Sequence, residues 1–193
     1  MNKALIIHLI LSMVLMVTAQ ELKPPVLESK NEVILMPTIH SGHKKEGEFY
    51  NLERLASAVS KVRPDIICTE ITPKSFGKVQ AGKRDKRLSF LPEYTEVILK
   101  LQKKLNYEII PCSAWTAKLN YKTVGLKAMD NAHYELIAKA LDTYTNQQKR
   151  ILITFGSGHM DGLLEHLRKR QDIHIVDYRI ELKKQKEAYL KSQ

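Results

Sequence analysis

The sequence predicts an α/β fold, a mostly parallel sheet of about five strands with helices on both faces joined by βαβ crossovers. Two observations carry that expectation. Short apolar runs recur along the chain, each closed by turn residues or charge and each too short for a buried helix. Between them lie segments whose apolar residues repeat at the helical period of about 3.6 residues. Strands and helices alternating at these lengths call for right-handed crossovers, which leave the strands parallel and both faces of the sheet buried.

Taken in order, a Pro-bearing lead-in (Glu21 to Asn31) precedes Val33-Ile34-Leu35-Met36, a buried strand bounded by Pro37. Phe49, Leu52, Leu55, Ala56 and Val59 then keep helical spacing until Arg63-Pro64 ends the helix, because the residue before proline is pushed out of the helical region. Ile66-Ile67-Cys68-Thr69-Glu70 is the second strand. Leu91-Pro92-Glu93 opens a helix carrying Tyr94, Val97, Ile98, Leu101 and Leu105, followed by the strand Tyr107 to Pro111. A third helix runs from about Leu126 to Tyr144, and Arg150 to Phe155 is the fourth strand. Gly156-Ser157-Gly158 turns the chain into a helix bearing Met160, Leu163, Leu164 and Leu167, and Ile173 to Val176 is the fifth strand. Two long connections interrupt the pattern. Thr72 to Phe90 is rich in Lys and Arg and reads as a mobile surface loop or a small helical cap over the strand ends; Ser113 to Thr123 holds Trp115 and Tyr121.

The length of 193 residues suits one domain with a full core. Hydrophobic residues at 44% and charged residues at 27% match ordinary globular protein and disfavour disorder, collagen and multispan membrane proteins. Residues 1–19 stand apart: Lys3, an apolar run from Ala4 to Val17, and Val17-Thr18-Ala19 ahead of Gln20 read as a cleavable signal peptide. The expectation is therefore a periplasmic or secreted protein, with one α/β domain over 20–180 and a charged C-terminal tail over 181–193. The formal charge of +10, from which the leader would remove only Lys3, favours anionic partners such as an envelope component. The basic residues are spread out and an exported chain seldom meets nucleic acid, so no nucleic-acid partner is expected. Cys68 and Cys112 each fall in an apolar run and read as two buried thiols, with a Cys68–Cys112 disulfide as the alternative that export would permit.

In an open parallel sheet, ligands bind beyond the carboxyl ends of the strands. That rule selects His40, His43, Glu70, Ser113, His159 and Asp177. Glu70 ends an apolar run, so its carboxylate needs a partner, and a histidine with an ordinary pKa near about 6.5 suits proton transfer at neutral pH. His40 follows Pro37 by three residues and His159 follows Gly156 by three, in separate crossovers. His133 lies on a helical face and reads as a core or interfacial residue; His166 and His174 read as structural.

Val33 to His40, Pro64 to Glu70, and Ile151 to His159 with Met160-Asp161-Gly162-Leu163 after it together resemble the TraB/TIKI superfamily, which also groups erythromycin-esterase-like and ChaN-like proteins. The likeness extends over most of residues 31–178. It implies a hydrolytic site in which His40, Glu70 and His159 correspond to the family's functional residues. Members are metal-dependent peptidases, esterases that use a His-activated water, and haem-associated proteins, so the resemblance does not choose a substrate. Pro37 stands where the first motif has Gly, removing φ freedom and an N–H from a place where backbone would approach the site.

Two mechanisms fit these side chains. In one, His40, His43, Glu70 and His159 hold a divalent metal such as manganese, cobalt or zinc, which polarises a carbonyl and acidifies water. In the other, His40 or His159 takes the proton of water while Glu70 orients it and the Gly156-Ser157-Gly158 amides hold an oxyanion. Either makes an exported hydrolase of ester or peptide bonds acting on a small-molecule or peptide substrate. The alternative is a non-catalytic protein using the same edge for a metal or haem. Gly156 to Gly162 is one residue too long for a GxGxxG dinucleotide fingerprint and comes late in the chain, and His159 stands where a GxSxG elbow needs its last Gly.

Overall fold

The computed structural model describes residues 30–45 and 47–192. The expected signal peptide at 1–19, and with it the question of export, lies outside the described residues. No helix among the described residues is long and apolar enough to cross a membrane.

The expected architecture is present. Strands β1 (Asn31–Thr38), β2 (Ile66–Thr69), β3 (Glu108–Pro111), β4 (Arg150–Gly156) and β5 (Ile173–Asp177) form one sheet in the order β3-β2-β4-β1-β5. Every pairing is parallel. Among the described residues seven α-helices accompany them: α1 (Leu52–Val62), α2 (Pro73–Gln80), α3 (Leu99–Leu105), α4 (Tyr121–Val124), α5 (Leu126–Thr143), α6 (Met160–Leu167) and α7 (Tyr178–Lys191).

Because the strands are buried on both faces, their residues alternate between two cores. Val33, Leu35, Ile151 and Ile153 pack with Ile137 and Leu141 of α5 and Leu163 and Leu167 of α6. Ile34, Met36, Ile67 and Leu152 pack on the other face with Leu55 and Val59 of α1 and with Tyr94, Val97 and Ile98. Each such side chain contributes about 1.5–3 kcal/mol of burial. Helix ends follow local chemistry. The Asn51 side chain accepts from the Arg54 N–H at the start of α1, and Thr72 accepts from Ser75 ahead of Pro73 at the start of α2.

Two local differences from the sequence reading, at Pro37 and at Glu93, stand beside two open readings that the structure decides, at Thr72 to Phe90 and in the charged tail. Strand β1 runs through Pro37 to Thr38 instead of ending at it. Pairing with β5 stops at Leu35, so on that side the strand is already an edge and tolerates the missing N–H. The segment Thr72 to Phe90 is a helical cap, with α2 followed by a 3-10 turn over Lys86–Phe90. The helix expected to begin at Leu91 starts as a π-helix over Glu93–Ile98 and becomes regular only in α3. The charged tail is the body of α7, which starts at buried Tyr178 and brings Tyr189 against Phe49, ring centroids 5.3 Å apart.

Cys68 and Cys112 are two free, fully buried thiols. The Cys112 hydrogen bond and burial hold the Cys68 thiol well above its ordinary pKa.

Candidate functional site

The sheet order decides which strand ends can meet. Adjacent strands lie about 4.8 Å apart, so β1 and β2, separated by β4, lie about 10 Å apart. His40 follows β1 and Glu70 follows β2. They converge over the end of β4, where Gly156 leaves the space of a missing side chain. A Cβ there would stand 2.7 Å from His40 Nε2 and 3.2 Å from Glu70 Oε2. The Gly156 N–H instead donates to Glu70 Oε2 at 2.6 Å, fixing the carboxylate. Three residues on, His159 closes the 3-10 turn Ser157–His159 that leads into α6.

The carboxylate of Glu70 sits between the two imidazoles. His40 Nε2 lies 3.6 Å from Oε2 and His159 Nε2 lies 3.7 Å from Oε1. Each ring is held from behind by a second acid. His40 Nδ1–H donates to Glu93 Oε1 at 2.6 Å, and His159 Nδ1–H donates to Asp130 Oδ1 at 2.6 Å. These bonds choose the tautomer, so both Nε2 lone pairs turn toward Glu70. A carboxylate behind each imidazole is the arrangement that orients metal-ligating histidines. Both outer acids are buried, their side chains 4% and 7% exposed, whereas His40 is 36% exposed and reachable from solvent.

His40 is bent into place. Its backbone has φ 49°, the left-handed region, at a cost of about 1–2 kcal/mol for a residue with a Cβ. The positive φ therefore falls on the histidine itself and not on Pro37, which pairs with Phe155 inside β1. Burial works against the protonated form of His40. The Glu93 hydrogen bond, with the charges of Glu70 and Glu93, outweighs that penalty and raises its pKa.

His43 is not brought to this centre. Its Nδ1–H donates to the Tyr50 carbonyl at 2.6 Å and its Nε2 accepts from the Ile39 N–H at 3.0 Å, so neither nitrogen is left for a metal. The expectation of a fourth ligand at His43 is corrected accordingly: the residue ties the His40 turn to the segment before α1. Burial lowers its pKa, in keeping with a neutral ring. Asp177 caps α7 through the Arg179 N–H and pairs with the Arg179 side chain.

His133, expected to be a core or interfacial residue, stands beside the site. Single ligand atoms of Glu70, His133 and His159 all lie within 4.8 Å of one another, close enough for a metal ion to be held among them. The ring of His133 is edge-on to His159, centroids 4.9 Å apart, and tilted against Phe155 at 5.2 Å. Its Nδ1 accepts the Ala114 N–H at 3.0 Å, which leaves the proton of a neutral ring on Nε2. Burial, then the neighbouring His159, lowers its pKa to about 4, so the ring is neutral at physiological pH.

Glu93, Asp130 and His133 were all missed as site residues in the sequence. Glu93 reads as an ordinary acidic first-turn residue, since acids there complement the helix dipole. Asp130 and His133 carried a usable signal: they are three apart on α5, with Asp130 beside Met129 and both on its buried side. A buried acid three residues from a buried histidine on an apolar helix face is a pair awaiting an explanation. Gly162 belongs to the same set, because a Cβ there would stand 2.1 Å from Asp130 Oδ2.

A cleft opens beside Glu70. Its volume is about 340 Å³, and Leu88, Leu91, Phe90 and Trp115 line it with Arg87. Comparison of the chain with protein-family models, with curated proteins and with solved structures returns no match.

Proposed function

We propose that the chain is a hydrolase of ester or peptide bonds whose centre holds a divalent metal ion with His40, Glu70 and His159. One observation carries the reading. Two imidazoles, each locked at Nδ1 by a buried carboxylate at 2.6 Å, aim Nε2 at the two oxygens of a third carboxylate from 3.6 and 3.7 Å. Around an ion with bonds of about 2.0–2.2 Å, neighbouring ligand atoms lie about 3.0–3.5 Å apart, so each Nε2 need close by only a few tenths of an ångström on the Glu70 oxygen it faces. Mixed N and O donors suit manganese, cobalt or zinc, in line with the TraB/TIKI-like motif order.

Such an ion supplies Lewis acidity, polarising the substrate carbonyl and lowering the pKa of water. The chain's own groups supply the rest. Glu93 and Asp130 keep Nδ1 protonated and the rings oriented, a support whose loss typically costs 10–100-fold in metal affinity. The Gly156 amide fixes the Glu70 oxygen that faces His40. His133 offers Nε2–H as a neutral donor, suited to an oxygen that gains negative charge during attack. In the reaction the oxygen of water bonds to the carbonyl carbon, the C–O or C–N bond breaks, and the leaving group departs with a proton from that water.

The test combines metal content and turnover. Protein purified without chelator is assayed for bound manganese, cobalt and zinc, and titrated calorimetrically with each after chelator treatment. Hydrolysis is followed over a panel of esters and peptides. One ion per chain, lost in His159→Ala and Glu70→Gln together with turnover, is the expected result. Folded protein that binds no ion below millimolar concentration refutes the metal, and a loaded protein inert on the whole panel refutes the hydrolase.

A further inference from the structure

The basic segment 74–87 and the single tryptophan have no role in the centre described above, yet they meet beside it. The 3-10 turn Lys86–Phe90 brings Leu88 and Phe90, with Leu91 after it, to the lining of the 340 Å³ cleft, which Trp115 also lines. Phe90 is 70% exposed and Trp115 37% exposed, a large apolar surface left open to solvent at a concave site. The Arg87 guanidinium lies over the Trp115 ring, 4.6 Å from its centroid, and pairs with no carboxylate among the described residues. Glu70 is the one acidic residue on this wall. A second cleft of about 660 Å³ shares Arg87 and Trp115 with the first and is lined also by Lys74 and Glu135.

These observations combine an apolar slot of small-molecule size, an exposed positive group held by a ring, and Glu70 of the candidate centre in the lining. We infer that the cleft binds a small organic anion with an apolar tail, a carboxylate whose chain or ring lies against Leu88, Phe90 and Trp115 while its charge meets Arg87. Under the hydrolase reading, on which this identification of substrate class rests, the scissile carbonyl then belongs to an acyl compound that carries a separate carboxylate. Binding to the cleft itself needs neither the metal nor turnover. Stacking on Trp115 pre-orders the guanidinium, so pairing costs less side-chain entropy than a free surface arginine would pay.

Trp115 is the only tryptophan in the chain, so its emission reports on the Arg87–Trp115 wall that the two clefts share. Chelator-treated protein is titrated with octanoate below its micelle concentration, and in parallel with octyltrimethylammonium, acetate and anionic phosphatidylglycerol vesicles. Octanoate is expected to change the emission saturably. Acetate lacks the tail and the cation lacks the charge, and both should leave the emission unchanged. Arg87→Gln, at an exposed position, should weaken octanoate about twofold to fivefold with circular dichroism unaltered. Equal binding of the cation, unweakened binding to Arg87→Gln, or no saturable change with octanoate overturns the proposal. Vesicles binding where octanoate does not overturns it too and makes the patch a lipid surface. Since no metal or product is measured, a failed metal or hydrolysis test leaves this result standing, and the reverse also holds.

Discussion

Replacing Gly162 by alanine sets two effects against each other. Gly162 lies inside α6 without a left-handed φ, where alanine ordinarily gains about 1 kcal/mol of helix propensity. Here the new Cβ would stand 2.1 Å from Asp130 Oδ2, 2.7 Å from its Cγ and 2.9 Å from its Cβ. Rotating the carboxylate away cannot relieve contacts that include the Asp130 Cβ, so α5 and α6 must separate as well. Overpacking of this kind costs about 1–3 kcal/mol. The displaced acid also gives up His159 Nδ1, a charge-assisted bond worth about 1.5–3 kcal/mol. Subtracting the propensity gain leaves a loss of about 1.5–5 kcal/mol, which for a chain of this size lowers Tm by roughly 10 °C. Urea and thermal unfolding measure it, with Gly158→Ala as the control because a Cβ there meets nothing within 4 Å. A Gly162→Ala protein as stable as wild type, with the His159 ring resonances unshifted in NMR, would refute the reasoning, since Asp130 would then not be wedged against this helix.

Gly156→Ala should act on the site more than on the fold: its Cβ meets His40 Nε2 at 2.7 Å, and calorimetry should find divalent-ion affinity down at least tenfold. Acid should destabilise the chelator-treated protein. His133, with its folded pKa lowered to about 4, costs nothing above the unfolded value of 6.5 and an increasing amount as pH falls from there toward 4. The slope approaches about 1.4 kcal/mol per pH unit and the total about 3 kcal/mol. His40, with a raised pKa, adds stability below 6.5 that disappears as pH rises through its folded value, so stability should peak near neutrality. Urea midpoints from pH 8 to 4.5 check both, and a His133→Gln variant with the same acid slope would refute the assignment. Cys68 and Cys112 should resist a thiol reagent in the native protein and both react after denaturation; rapid native labelling would contradict their burial.

Sheet and helices were legible in the sequence because the inner strands β1, β2 and β4 carry apolar runs, and an apolar run is what two-sided burial requires. His40, Glu70 and His159 were legible for a related reason. Each lies within three residues of the end of a strand, and parallel strands end on one edge. What sequence could not supply was the strand order. Only with β4 lying between β2 and β1 do Glu70 and His40 converge on Gly156; another order would have left them strands apart. His43 was misjudged because spacing alone cannot tell a ring turned to the site from one whose two nitrogens are spent on Ile39 and Tyr50. The Thr72 to Phe90 cap was half visible: its charge was plain, but the Thr72-Pro73 helix start, a legible capping signal, was masked by two glycines read as loop residues.

The two outer acids come from opposite sides of the sheet. Glu93 opens the π-helix whose Tyr94, Val97 and Ile98 belong to one core, and Asp130 lies on α5, whose Ile137 and Leu141 belong to the other. Neither helix touches the histidine it supports by way of the strand that carries that histidine. The orientation of both imidazoles therefore depends on both helical layers being docked, and the pair of Nε2 atoms cannot face Glu70 in a half-folded sheet. A ligand that needs both imidazoles then binds only the complete fold and stabilises it as a unit by mass action. The same logic explains why a π-helix stands at Glu93. One extra residue in the turn rotates the start of that helix against the sheet, and the side chain there is the acid that holds His40 from behind.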